Sequence, residues 1–133
     1  MMKLAWVIIL SLISSSVFSQ TNEVDSCSIS PTHIAMIDGL DKKGMLSTTD
    51  MPKIRKLVSD DKDVTILRFT YSVDCDGCDI DIREVFADTL SREDMKVLAE
   101  IKPMRVLSFE CIVGKNKKGE LVAFKPFLFY IKP

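Results

Sequence analysis

Apolar and polar residues alternate with a period of two along residues 64–74 and again along 105–113. Alternation of that kind marks strands with one buried face. In the first stretch Leu67, Phe69, Tyr71, Val73 and Cys75 face one way, and Thr65 continues that face. Ile66, Arg68, Thr70, Ser72 and Asp74 face the other. Asp76-Gly77 follows, and an Asp-Gly pair between alternating runs predicts a tight hairpin. A two-residue loop sets Cys75 opposite Cys78, Val73 opposite Ile80 and Tyr71 opposite Ile82, all on one face. Thr70 with Arg83, Ser72 with Asp81 and Asp74 with Asp79 then share the other face. A slip of one residue would scramble this sorting.

The remaining pattern predicts further strands and two short helices. Residues 33–37 form a short apolar run that ends at Asp38-Gly39, with a charged turn at 41–44. Ser47-Thr48-Thr49-Asp50 before Met51-Pro52 has the form of a helix start, with Ile54, Leu57 and Val58 turned inward. Ser91 caps a second helix running to about Ile101, whose apolar stripe is Met95, Leu98 and Ala99. Lys102-Pro103 ends it. In 105–113, Leu107, Phe109, Cys111 and Val113 share a face. Residues 121–131 are the last strand, and Pro126 inside it implies an edge position or a bulge. This layout predicts a mainly β fold: an immunoglobulin-like, Greek-key β-sandwich with one or two short helices.

Residues 1–19 are set apart by composition. Lys3 precedes a nearly unbroken apolar run at 4–13, and small residues follow up to Ser19. That is the form of a secretory signal peptide, and the run is shorter than the about 20 residues a membrane span needs. No cysteine follows the cleavage region directly, so no lipid anchor is expected. The predicted organisation is a signal at 1–19, a flexible polar segment at 20–32 and one β-sandwich domain at 33–133. The formal net charge of −1 and the lack of a basic stripe argue against nucleic acid as a partner. No membrane insertion is expected after signal cleavage. The expected location is exported, either periplasmic or extracellular.

All four cysteines, Cys27, Cys75, Cys78 and Cys111, lie beyond the signal. An even count in an exported chain suggests disulfides, with three connectivities open. The Cys75-Asp76-Gly77-Cys78 run also raises thiol–disulfide chemistry. The surrounding aspartates disfavour a thiolate, however, and the residues after Cys78 alternate like a strand rather than opening a helix. Asp74, Asp76, Asp79 and Asp81 surround Gly77 and form a candidate calcium site. An EF-hand register through Asp74, Asp76 and Gly77 puts Arg83 where the bidentate glutamate belongs, so a solvated acidic tip is the simpler reading. The sole histidine, His33, is too far away in sequence to complete a zinc site with the one CxxC. Lys115, Lys117 and Lys118 form a basic loop, either a solvated turn or a charge-steered docking surface. No catalytic constellation and no cofactor motif is present, so no enzyme activity is expected.

Several motifs in their order resemble one known family. They are Ile37-Asp38-Gly39, then Gly44-Met45-Leu46-Ser47 before a turn of helix, then Leu67-Arg68-Phe69 opening a long strand. Leu90-Ser91 opens the next helix, which ends at Ile101-Lys102. Val106-Leu107-Ser108-Phe109-Glu110-Cys111-Ile112, a turn with Gly119, and Phe127-Leu128-Phe129-Tyr130-Ile131 close the series. This order resembles the C-terminal domain of GldM, from the periplasmic shaft of the gliding-motility and type IX secretion machinery. The resemblance implies an immunoglobulin-like domain that acts by protein–protein contact. Members of that family carry an inner-membrane helix and several domains, so this chain is expected to be a free-standing version of the tip domain. The implied partner is another cell-envelope protein, met at a sheet edge near Pro126 or an apolar strand face. The alternative is a secreted thiol–disulfide or metal-binding protein that uses Cys75, Cys78 and the surrounding aspartates.

Overall fold

The computed structural model describes residues 26–74 and 80–133. The predicted signal at 1–19, residues 20–25 of the polar segment, and Cys75, Asp76, Cys78 and Asp79 lie outside these residues. The described chain begins with a 3₁₀ turn at Ser26–Ser28. It continues through β1 (Pro31–His33), β2 (Ala35–Ile37), β3 (Gly44–Leu46), a 3₁₀ helix at Thr48–Lys53, and β4 (Leu57–Ser59). Next come β5 (Thr65–Asp74), β6 (Asp81–Val85), α1 (Arg92–Ala99), β7 (Val106–Lys115), β8 (Leu121–Phe124) and β9 (Phe127–Ile131). The fold is mainly β and sandwich-like, as the alternation predicts. One sheet runs in the order β1-β8-β7-β5-β6, with β9 also on β7 and β3 on β9. A ribbon of β2 and β4, the 3₁₀ helix and α1 form the cover. Phe69, Tyr71, Leu107, Phe109 and Ile131 from the sheet bury against Ile37, Met51, Ile54, Leu57 and Leu98 from the cover. Phe109 is central: it stacks on Phe127 at 4.9 Å and contacts Phe69 at 6.0 Å and Tyr71 at 6.3 Å.

The hairpin arms pair as expected, but one residue out of the predicted register. Tyr71 opposes Arg83, Val73 opposes Asp81 and Phe69 opposes Val85. A two-residue loop at Asp76-Gly77 would have put Ile82 opposite Tyr71. Instead Ile82 opposes Ser72 on the solvent face and is 64% exposed. The reason is electrostatic. Register puts Arg83 on the inner face beside Tyr71, where its Nε donates to Asp94 Oδ1 at 2.9 Å. Tyr71 Oη donates to the same oxygen at 2.8 Å. Asp94 is the N3 residue of α1, and its other oxygen accepts from the Ser91 hydroxyl at 2.8 Å and the Ser91 N–H at 3.3 Å. Ser91 Oγ in turn accepts from Asp94 N–H at 3.1 Å, completing a capping box. Burial pushes the Asp94 carboxyl up, but its donors outweigh burial and hold it below the usual range. Burial raises the Tyr71 hydroxyl, and Asp94 adds to that.

Two bulges change which residues of β5 and β7 face inward. β5 shifts register between Ile66 and Arg68, and β7 compensates between Arg68 and Thr70, where its chain carries the extra residue. Ile66 is therefore buried and Leu67 exposed, the reverse of simple alternation. In β7, Cys111 adopts φ 51°, and Ile112 takes the fully buried place expected for Cys111. Cys111 is only half-buried and is joined to Cys27 across 84 residues, with a Cα–Cα distance of 4.5 Å. The polar lead-in expected to be flexible is thus anchored from Ser26 onward, by this disulfide and by β1 on β8.

β8 and β9 keep one common register against β7, and Lys125-Pro126 interrupts them opposite Glu110 and Cys111. Pro126 has no N–H to give, so the predicted single strand splits in two. It is not an edge strand. β1 lies parallel on the outer side of β8, and β3 lies parallel on the outer side of β9. Parallel neighbours need long connections, and short-range alternation gave no sign of them. The run at 33–37 also divides. His33 O accepts from Lys125 N–H at 2.9 Å in the large sheet, while Ile34 O accepts from Asp60 N–H at 2.9 Å in the ribbon. The first helix is a 3₁₀ helix, and Leu57 opens β4 rather than lying on it.

Gly114 sits where β5, β7 and β8 crowd together. A Cβ there would stand 2.7 Å from Thr65 O and 2.9 Å from the Phe124 ring. Gly114→Ala is expected to lower stability by about 1–3 kcal/mol, read as a fall in thermal midpoint. Cys27→Ser releases the lead-in strap and is expected to lower stability by about 2–4 kcal/mol. Reductant should shift the midpoint of wild type in the same direction and leave that of the variant nearly unchanged. An unaltered midpoint in Cys27→Ser would show that the strap contributes nothing.

Candidate binding groove

The excursion of the chain from β1 to β3 builds a groove. After His33 the chain leaves the large sheet, runs through β2 in the cover, and returns at Gly44 beside Phe129. Between the end of β1 pairing at Phe124 and the start of β3 pairing at Phe129, the outer side of the β8–β9 line has no strand partner among the described residues. The resulting groove has a volume of about 840 Å³ and is lined by residues 34–44, Val58 and Phe127–Phe129. That size suits a ligand-scale guest. All three residues of β2 line it, although Ala35 and Ile37 face the core and Met36 faces solvent. Phe127, Leu128 and Phe129 line it in the same way, regardless of face. Side chains of a strand alternate, so what three successive residues share is the strand edge. The groove therefore runs between two strand edges.

Exposed apolar side chains gather here. Ile34 is 50% exposed, Met36 43% and Leu128 55%. On the rim, Gly39 (φ 79°) and Gly44 (φ 78°) take left-handed conformations that turn the loop out of β2 and into β3. Asp38 N–H donates to Lys56 O at 2.9 Å, and Leu40 N–H to Ile37 O at 3.2 Å. The rim is pinned by Lys42, whose Nζ lies 3.0 and 2.9 Å from the two oxygens of Asp50. Asp50 is the N3 residue of the 3₁₀ helix and accepts from Ser47 N–H at 2.9 Å. This second Ser-x-x-Asp box repeats the arrangement of Ser91 and Asp94. The Ser47 N–H, with Lys42 beside it, pulls the buried Asp50 carboxyl down to about 2. Among the lining charges, Lys42 is thus committed, and Asp38, Asp41 and Lys43 remain.

The residues singled out from the sequence do not converge on one site. Cys27 and Cys111 are joined, and Cys75 and Cys78 lie outside the described residues. Of the four carboxylates proposed for calcium, Asp76 and Asp79 lie outside as well. Asp81 opposes Val73, whereas Asp74 follows it on the opposite face and opposes Val106. The shifted register thus separates Asp74 and Asp81, which the predicted hairpin put on one face. Among the described residues no group of three or more His, Cys, Asp or Glu side chains could hold a metal ion. Lys115 lies in β7 opposite Thr65 and Leu121, at the far end of the strands from Asp74. Lys117 Nζ pairs with Asp63 Oδ1 at 3.0 Å, and Asn116 organises the loop through Lys118 N–H and Glu120 N–H. The expected sheet edge near Pro126 has an open portion at Phe127-Leu128, whose neighbours on either side are covered. Sequence reasoning missed β2, Asp50 and Lys42 as its frame, although Ser47 and Asp50 stand at capping-box spacing.

The groove offers apolar contact and backbone hydrogen bonds. No protein-family model matches the chain, and no curated protein is significantly similar to it.

Asp50 has a folded pKa of about 2, below the ordinary carboxylate value of about 3.9. A group lowered on folding stabilises above its unfolded pKa, and that contribution fades as pH falls through the folded one. Stability should therefore drop between about pH 4 and about pH 2. Asp50→Asn is expected to lose about 1–2 kcal/mol at pH 7 and to flatten this acid limb. Denaturant melts across that range check both effects.

Proposed function

We propose that the chain is a non-catalytic interaction domain of the cell envelope, related to the GldM C-terminal domain, that binds another envelope protein. The observation that carries this reading is the gathering of exposed Ile34, Met36 and Leu128 around a groove between two strand edges. Clustered apolar exposure in a folded domain marks an interaction site more often than chance. The mainly β fold and the motif order support the relation to GldM. The Cys27–Cys111 disulfide is compatible with an oxidising, exported location. No helix among the described residues is long and apolar enough to cross a membrane.

The test is affinity capture from native envelope extracts with the full chain and with a Met36→Asp, Leu128→Asp double variant. Both positions are exposed, so the variant should fold as wild type does. Wild type is expected to retain a discrete envelope protein, and the variant to retain at least tenfold less of it. Equal retention, or none by either form, would remove the support for this reading.

A further inference from the structure

The backbone of β2 can be oriented from its bonds to β4. Asp60 N–H donates to Ile34 O and Asp38 N–H donates to Lys56 O, both at 2.9 Å. With Ala35 opposite Ser59 and Ile37 opposite Leu57, the even-numbered residues exchange bonds with β4. Ala35 and Ile37 therefore turn their N–H and C=O groups the other way, toward the groove. Ile37 O is taken by Leu40 N–H at 3.2 Å. The Ala35 N–H, the Ala35 C=O and the Ile37 N–H remain, and β2 has no second strand partner among the described residues. The opposite edge of β4 is covered, because Leu57 N–H donates to Asp88 O and Lys56 bridges to Thr89.

We infer that the groove takes an extended segment of another protein, added as a strand to the free edge of β2. This rests on the interaction reading above and gives it a binding mode. Three chemistries compete for such a groove, and the backbone decides among them. A small apolar guest would cover the Ala35 and Ile37 groups without satisfying them, and unpaired buried N–H and C=O groups are costly. A helix has its own backbone bonds closed and would do the same. An extended segment supplies N–H and C=O at the matching two-residue spacing, while alternate side chains meet Met36 and Leu128. The rim sets the charge of the guest. Asp38 and Asp41 line the groove without an ion pair among the described residues, against Lys43 alone, because Lys42 is held by Asp50. The segment that fits has alternating apolar residues flanked by lysine or arginine. A second copy of this chain paired through β2 would set two acidic rims together, which disfavours self-pairing.

The experiment uses the full chain and a synthetic peptide of alternating valine and threonine flanked by lysine, followed by fluorescence anisotropy. Binding is expected. Methylation of alternate peptide nitrogens on the bonding edge should weaken it at least tenfold, and glutamate flanks severalfold, with the lysine–glutamate difference shrinking as salt rises. Ile37→Pro removes one edge donor without touching the β4 bonds, and should weaken binding in the same way. The methylated peptide needs no variant, so the inference stays exposed even if Ile37→Pro does not fold. Equal affinity of the methylated and plain peptides, no binding at millimolar peptide, or dimerisation that the peptide fails to reverse would each overturn it. Envelope capture separates the two claims. A partner retained equally by wild type and by folded Ile37→Pro, with no peptide binding, sinks strand addition and leaves the interaction reading standing. Peptide binding without an envelope partner does the reverse.

Discussion

The carboxylate of Asp94 sits where the large sheet meets its cover, and four donors converge on it. One comes from β5 (Tyr71), one from β6 (Arg83) and two from the Ser91 cap of α1. A buried carboxylate without such donors would be strongly unfavourable. The requirement therefore acts on three elements at once. It holds Arg83 on the inner face, and so fixes the register of β6. It holds the start of α1 against the sheet, and so closes the cover over Phe69, Tyr71 and Leu98. Ile82 is left in solvent as a consequence, an apolar residue displaced so that a charge can reach its partner.

At the other edge of the sheet the governing constraint is steric and local. Pro126 cannot donate, and Cys111, opposite the neighbouring Lys125, takes a left-handed conformation. The interruption on β8–β9 and the bulge on β7 thus fall side by side. One result is a disulfide turned away from the core to hold the start of the chain. The other is a gap in the edge coverage. β1 seals the edge before the gap and β3 seals it after, while the chain between them crosses into the cover as β2. The groove is this gap, and the Lys42–Asp50 pair with its capping box keeps the rim in place.

Recognition through strand edges suits a small domain of this kind. In the proposed strand addition, backbone groups would supply much of the binding, so the demands on side chains would be modest: apolar contacts at Met36 and Leu128, and a rim of suitable charge. Edges left open in native sheets are usually short, which limits unwanted pairing. β2 is three residues long and flanked by Asp38, and fits that pattern.

Much of the fold was legible along the chain. The strands at 64–74 and 105–113, the serine that opens each helix and the interruption at Pro126 all follow from short-range physical chemistry, and the structure retains them, although bulges reverse the alternation at one end of each strand. Register, parity and strand partners were not legible. The same residues 80–86 turn Ile80 and Ile82 to the inner face in one register and Asp81, Arg83 and Val85 to it in the next, and only Asp94, eleven residues beyond Arg83, chooses between them. Likewise, alternation assigned Cys111 to the core, and the bulge that gave its place to Ile112 belongs to a pairing across strands. The groove depended on the chain leaving the sheet at Ile34, a step tied to Asp60, 26 residues away. Strands and caps could be placed along the chain because they depend on neighbours a few residues apart. The tertiary structure decided which face each residue shows and which edge stays open, because a period of two carries no memory of a one-residue slip.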